Sequence, residues 1–158
     1  MNRQLLLDKL DKAWAELRDS YAGLPEAHLT ESGVNDDWSV KDNLAHVTTW
    51  EEEALKYLPL IVQGGKPPRY SVQYRGIDAF NARRTEAKRA LSLSEVLAHM
   101  DAIHRRLVDY LQSVPEEQFT RDTPFRHRLR LDTYSHYPIH TRAIRAWREQ
   151  REPEGRPP

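Results

Sequence analysis

Between residues 2 and 21 the apolar positions Leu7, Leu10, Trp14, Leu17 and Tyr21 recur at steps of three and four, which predicts a helix with one buried stripe. Gly23 and Pro25 end it, and residues 23–38 read as a connector with Gly33, Asn35, Asp36 and Asp37 as turn formers. Ser39 is placed to cap a second helix, with Asp42 at its third position in a near capping box and Trp38 as a staple residue ahead of the cap. That helix runs to about Gln63, where Gly64-Gly65 stops it. It carries two adjoining stripes, Val40, Leu44, Val47 and Leu58 beside His46, Trp50, Ala54, Tyr57 and Ile61, as expected of a helix with two neighbours.

Residues 64–75 read as a loop, and residues 76–90 as a short helix with Ile77, Phe80 and Ala87 inward. After caps at Ser92 or Ser94, Leu97, Met100, His104, Leu107 and Leu111 mark a third long helix that Pro115 closes. Residues 115–131 read as a connector. A last helix is expected from about Asp132 to Gln150, with Pro138 inside it and a kink there. No stretch alternates with period two for long enough to predict a strand. The expected fold is all-α: a four-helix bundle with one additional short helix between the second and third long helices. It forms one domain over residues 1–150, with a disordered tail over 151–158 that is rich in Pro, Glu and Arg.

Composition narrows the function classes. The chain has 158 residues, 24 basic and 24 acidic, so no general attraction to phosphate backbones is expected and nucleic acid is discounted as a partner. It has no cysteine, which removes disulfides, thiolate ligands and a cysteine nucleophile. The first residues lack a signal-peptide pattern, and no apolar run reaches the length of a membrane span, so a cytoplasmic setting and no membrane partner are expected.

The histidines carry the candidate chemistry. His136 and His140 stand one helical turn apart, with Ile139, Ala143, Ile144 and Trp147 gathered around them and Arg142, Arg145 and Arg148 on the far, solvated side. Two inward imidazoles plus a third from a facing helix form a three-nitrogen set suited to zinc, nickel, copper or iron, with a coordination position left for water or substrate. On spacing, His46 and His104 both qualify as the third; His28, His99 and His127 read as surface residues. A lone inward histidine is more often a core residue satisfied by backbone or a hydroxyl, and it is the pair that shifts the balance.

Trp38-Ser39-Val40-Lys41-Asp42-Asn43-Leu44-Ala45-His46-Val47 followed by Trp50-Glu51 resembles the second-helix signature of the DinB-like four-helix-bundle superfamily. Tyr134-Ser135-His136-Tyr137-Pro138-Ile139-His140 followed by Ile144-Arg145 resembles its last-helix histidine pair. Asp78-Ala79-Phe80-Asn81 and Ile144-Arg145-Ala146-Trp147 resemble its ClbS/DfsB-like branch more narrowly. The likeness spans roughly residues 5–150 and implies His46, His136 and His140 as ligands of a divalent ion, zinc or nickel. It also implies homodimers, to which Tyr70 and Tyr74 in the long loop are candidates to contribute.

Relatives in the superfamily include thiol-dependent transferases and isomerases, and the branch includes a protective hydrolase without a three-histidine metal set. The expected function is therefore a metal-dependent hydrolase or thiol transferase acting on a small electrophile or xenobiotic, with a low-molecular-weight thiol as possible co-substrate. The alternatives are a small-molecule sequestration protein and a metal-independent protective hydrolase. Around the metal, Trp50, Glu51, Tyr57, Asn81, Tyr134 and Tyr137 are candidate pocket residues. Glu51, mid-helix beside Glu52, reads rather as a solvated face, and Asn81 as an idle surface amide. No Ser-His-Asp set, phosphate loop or HExxH motif occurs.

Overall fold

The computed structural model describes residues 1–151; the expected tail, apart from Arg151, lies outside the described residues. The elements are α1 (Arg3–Ser20), α2 (Glu26–Leu29), α3 (Val40–Val62), α4 (Tyr70–Gln73), α5 (Ile77–Lys88), α6 (Leu93–Ser113), α7 (Glu117–Thr120), α8 (Pro124–Asp132) and α9 (Tyr137–Arg151). Among the described residues no strand forms, and one isolated bridge joins Asn35 to Trp38. The fold is the all-α bundle expected, with α5 as the additional short helix. Its fourth strut is split into α8 and α9. Three single-turn helices, α2, α4 and α7, and the nine-residue α8 occupy stretches that the sequence presented as connectors.

The helix starts follow their caps. The Asn2 side chain accepts from Leu5 N at 2.9 Å, and Ser92 Oγ accepts from Glu95 N at 3.1 Å. At α3 the capping box closes both ways: Ser39 Oγ accepts from Asp42 N and Asp42 Oδ2 accepts from Ser39 N, each at 3.0 Å. Asp reaches the cap as Glu would. At the far end Gly64 takes φ +86°, a left-handed turn that glycine enters without strain, and α3 stops there.

α3 is the central strut, packed against α6, α8 and α5, while α1 packs against α9. Leu6, Leu10, Leu17, Leu44, Leu58, Met100, Leu107, Leu111, Phe119 and Phe125 are fully buried among these helices. The two stripes read on α3 merge, because Val40 and every residue from Asp42 to Glu51 are buried. That leaves no solvated face at Glu51, which is 0% exposed; the expectation for it was wrong.

Other expectations also change. Ile77 and Ile139 are 53% exposed and Ala87 is exposed, whereas Thr85 turns inward beside Phe80 on α5. Arg148 does not face only water: its Nη1 donates to Ser20 O and Ala22 O at 3.2 and 2.9 Å, tying α9 to the end of α1. Tyr70 and Tyr74 are half-buried against Phe80.

The last helix departs most. α8 ends at Asp132, Thr133 leaves helical dihedrals (φ −128°, ψ −101°), and the turn 133–136 leads into α9 at Tyr137. Pro138 is therefore the second residue of α9 and causes no kink. First-turn amides have no intrahelical acceptor, so a residue without an N–H fits there.

Ser39→Ala removes the forward half of the α3 cap and is expected to lower stability by about 1 kcal/mol. Urea denaturation checks this, with the midpoint falling and the slope unchanged.

Candidate metal centre and cleft

α3 contributes His46 from its second turn, α9 contributes His140 from its first, and the turn before α9 contributes His136. His136 Nε2 lies 3.1 Å from His46 Nε2 and 2.9 Å from His140 Nε2. The three ligand atoms all fall within 4.8 Å of one another, a group able to hold a metal ion. Nitrogens bound tetrahedrally to zinc at 2.0–2.1 Å stand about 3.3 Å apart, so this spacing suits one shared cation. His136 Nε2 has either one proton to give or one lone pair to accept with, so in the neutral rings its two contacts cannot both be full hydrogen bonds.

The tautomer of His140 follows from its surroundings. Asn43 Nδ2 donates to Asn35 Oδ1 at 2.7 Å and to Ser39 O at 2.8 Å, so both its hydrogens are committed and Oδ1 faces His140 Nδ1 at 2.8 Å. Nδ1 of His140 must therefore donate, which leaves its Nε2 lone pair on the triad. His46 and His136 lack this support: the Nδ1 of each is buried without a partner among the described residues. The ring of Trp38, instead of stapling the cap, lies 5.0 Å from that of His46.

All three imidazoles are held neutral. Burial lowers His136 to about 4; burial together with the neighbouring rings lowers His46 to about 3 and His140 to about 2, with Lys88 adding to the effect at His46. Neutral imidazole is the form that binds a metal.

His46 and His136 line one wall of a cleft of about 390 Å³. Trp50, Tyr70, Ile77 and Leu131 supply its apolar surface, and Asn81, Arg128 and Asp132 its polar groups. Arg128 Nε donates to Asp132 Oδ2 at 2.6 Å and its Nη2 to the Tyr70 hydroxyl at 2.9 Å; that hydroxyl lies 3.1 Å from Glu53 Oε1. Burial lifts the Asp132 carboxyl to about 6 in spite of Arg128 beside it. Arg128 and Asp132 were not read from the sequence as site residues, and Tyr70 was read as a dimer contact. An Arg-Asp pair one turn apart looks like surface patterning, and only the packing of α8 on α3 turns it inward.

The other expected pocket residues fall elsewhere. Glu51 and Tyr137 sit in the core behind the triad, where Tyr137 Oη donates to Glu51 Oε2 at 2.7 Å. His104 Nδ1 is 2.8 Å from the same oxygen, and its ring stacks on Trp14 at 3.6 Å. This is the role of the histidine that spacing alone left in contention. Tyr57 is buried below Arg128 and outside the cleft lining. Tyr134 lies on another surface, over Lys9. Trp50 and Asn81 are at the cleft and bonded to each other, Trp50 Nε1 donating to Asn81 Oδ1 at 2.9 Å.

The family model of the DinB superfamily matches residues 9–142. The chain belongs to the DinB superfamily. No curated protein sequence matches it. Among solved structures it is similar to one titled Sibling Lethal Factor Precursor - DfsB (TM-score 0.81, 13% identity, covering 96% of this chain and 97% of that one). It is also similar to an uncharacterised Escherichia coli UTI89 protein (0.78, 15%, 96% and 95%). A third is the colibactin self-resistance protein ClbS in complex with a dsDNA (0.75, 12%, 90% and 93%). At these identities the likeness establishes the shared fold. The dsDNA belongs to that third protein, and it does not fit the expectation that nucleic acid is no partner when that expectation is extended to the fold as a whole. No helix among the described residues is long and apolar enough to cross a membrane.

Two predictions follow from the buried groups. An unfolded imidazole takes up a proton near 6.5, but these three do so only at about 4 or below, so between those values the unfolded chain binds more protons and acid costs stability. Asp132 acts in the opposite sense between its usual 3.8 and about 6, one group against three. Metal-free protein is therefore expected to lose stability as pH falls from about 6.5 to about 4, with a shallower dependence in His140→Gln. Urea midpoints at pH 7 and pH 5 that are equal, or reversed in order, would contradict this. Glu51→Ala strands the Tyr137 hydroxyl and His104 Nδ1 in the core, and a loss of about 3 kcal/mol is expected. A loss below about 0.5 kcal/mol, ordinary for a surface site, would show that the network carries no weight.

Proposed function

We propose that this DinB-superfamily chain is a metal-dependent hydrolase or thiol transferase that acts on a small electrophile or xenobiotic in the cytoplasm. The observation that carries the reading is the meeting of three neutral imidazole nitrogens, 2.9 and 3.1 Å apart, with two of their rings lining a cleft. His46, His136 and His140 would hold the ion, with imidazole donors that suit zinc and nickel, the metals the family resemblance implies. A cation held by these three rings would supply Lewis acidity, lowering the pKa of water or a thiol at the site.

The protein's own groups do the rest. Asn43 fixes the ring of His140 through Nδ1, so its Nε2 cannot turn away from the centre. Trp50, Tyr70, Ile77 and Leu131 exclude water around an apolar substrate. Asp132, titrating at about 6 on the cleft wall, accepts the proton given up by the nucleophile and returns it to the leaving group. This supplies the acid/base residue that the sequence reading lacked. The depth of Glu51 behind the triad leaves it a supporting role. Capture of a small molecule without turnover is the competing reading, and Asp132 on the cleft wall is what weighs against it.

Elemental analysis of untagged protein is expected to find about one zinc or nickel per chain. His136→Ala is expected to lose that metal while keeping its helical circular dichroism. Metal-free parent protein that also fails to take up zinc on titration would overturn the proposal.

A further inference from the structure

We infer that the cleft takes an uncharged carbonyl compound with a flat apolar body, an aromatic or unsaturated amide or ester, and that the side-chain amide of Asn81 holds its carbonyl oxygen. The inference rests on the proposed function for the reacting end of the ligand. Recognition of the oxygen stands on separate observations.

The indole of Trp50 has a single polar hydrogen and accepts nothing. Its Nε1 lies 2.9 Å from Asn81 Oδ1, which decides how the amide is turned: oxygen toward the indole, nitrogen away from it. Among the described residues nothing accepts from Asn81 Nδ2, although Asn81 lines the cleft. Two aimed donors are thus presented on a rigid mount. The neighbouring polar groups are engaged with one another, Arg128 with Asp132 and Tyr70, and Tyr70 with Glu53. With its guanidinium paired to a carboxylate, Arg128 brings no surplus positive charge that would select an anion. A carbonyl oxygen supplies the acceptor that Asn81 Nδ2 lacks.

The rest of the wall sets the body of the ligand. The rings of Trp50 and Tyr70 meet at 5.3 Å, offering aromatic faces for a flat group. Ile77 and Leu131 line the same cleft yet stay 53% and 48% exposed, so an apolar ligand between them would be covered by surface that is otherwise wetted. A volume of about 390 Å³ holds a compound of one or two rings. A donor fixed in place and left unpaired costs binding free energy, so a ring without an acceptor is discriminated against.

Benzamide is the probe, followed by two-dimensional amide NMR on the full chain, metal-free and again with one equivalent of zinc. Benzamide is expected to shift the Trp50 indole N–H and the Asn81 side-chain amide in both states. Asn81→Asp keeps an oxygen for the indole and replaces the donor nitrogen by an acceptor; it is expected to weaken benzamide binding about tenfold. Asn81→Ala, which adds no charge, is expected to do the same. Toluene, a ring without an oxygen, is expected to bind parent and variants alike. Equal benzamide affinity in parent and variants, shifts that miss these two signals, or a parallel loss of toluene binding would each overturn the inference. Zinc uptake is read separately: its failure with the benzamide result intact removes the metal function and leaves the recognition of the carbonyl standing.

Discussion

The structure depends on burying a helix that is polar on several sides. Asp42, Asn43, His46, Thr48, Thr49, Glu51 and Glu53 all lie on α3 and are all buried. A buried polar group without a partner costs on the order of 1–3 kcal/mol, so each dictates what packs beside it. Thr48 and Thr49 are satisfied within the helix, donating to Leu44 O and Ala45 O. The others reach outward: Asp42 to its own cap, Asn43 to Asn35 and His140, Glu51 to Tyr137 and His104, Glu53 to Tyr70. The neighbours of α3 are thereby fixed in register as well as in contact. Apolar burial gives the bundle its stability, and these pairs give it one arrangement.

The break between α8 and α9 is where that demand shapes the site. In one continuous helix His136 and His140 would lie about 5–6 Å apart at Cβ on a common face. The turn at 133–136 instead frees His136 from helical direction, and its ring meets that of His140 nearly edge-on, at 89°. Its Nε2 thereby faces two other nitrogens at once. The same break leaves Asp132 as the last residue of α8, at the cleft wall a few residues before the triad. Pro138 helps: it cannot sit comfortably deep in a helix, and it fits the start of a new one.

Charge is distributed by the same logic. The three imidazoles are desolvated and uncharged. The two Nδ1 atoms without partners are the cost of this arrangement, and they lie on His46 and His136, the two that line the cleft. His140, behind them, has the Asn43 support. The ring of His140 is thus held firmly through Asn43, while the two rings that line the cleft have no such support.

The sequence by itself determined the long helices α1, α3 and α6, the α3 cap and the inward direction of His46, His104 and His140, because these are local: periodicity of three and four, Ser39 with Asp42, Gly64 after Val62. The motif resemblance added the choice of His46 over His104, and Trp50 and Asn81 were named before any geometry was known. What the sequence did not yield was decided by partners remote in the chain. Glu51 looked solvated because its neighbour Glu52 is charged, and only Tyr137, 86 residues away, makes it a core residue. Arg128 fell in a stretch read as a connector, Asp132 at the expected start of the last helix, and Tyr134 read as a pocket residue; the packing of α8 set which of them face the cleft. A residue's own neighbours fix the direction in which it leaves its helix; what fills the space it enters is a property of the assembled bundle.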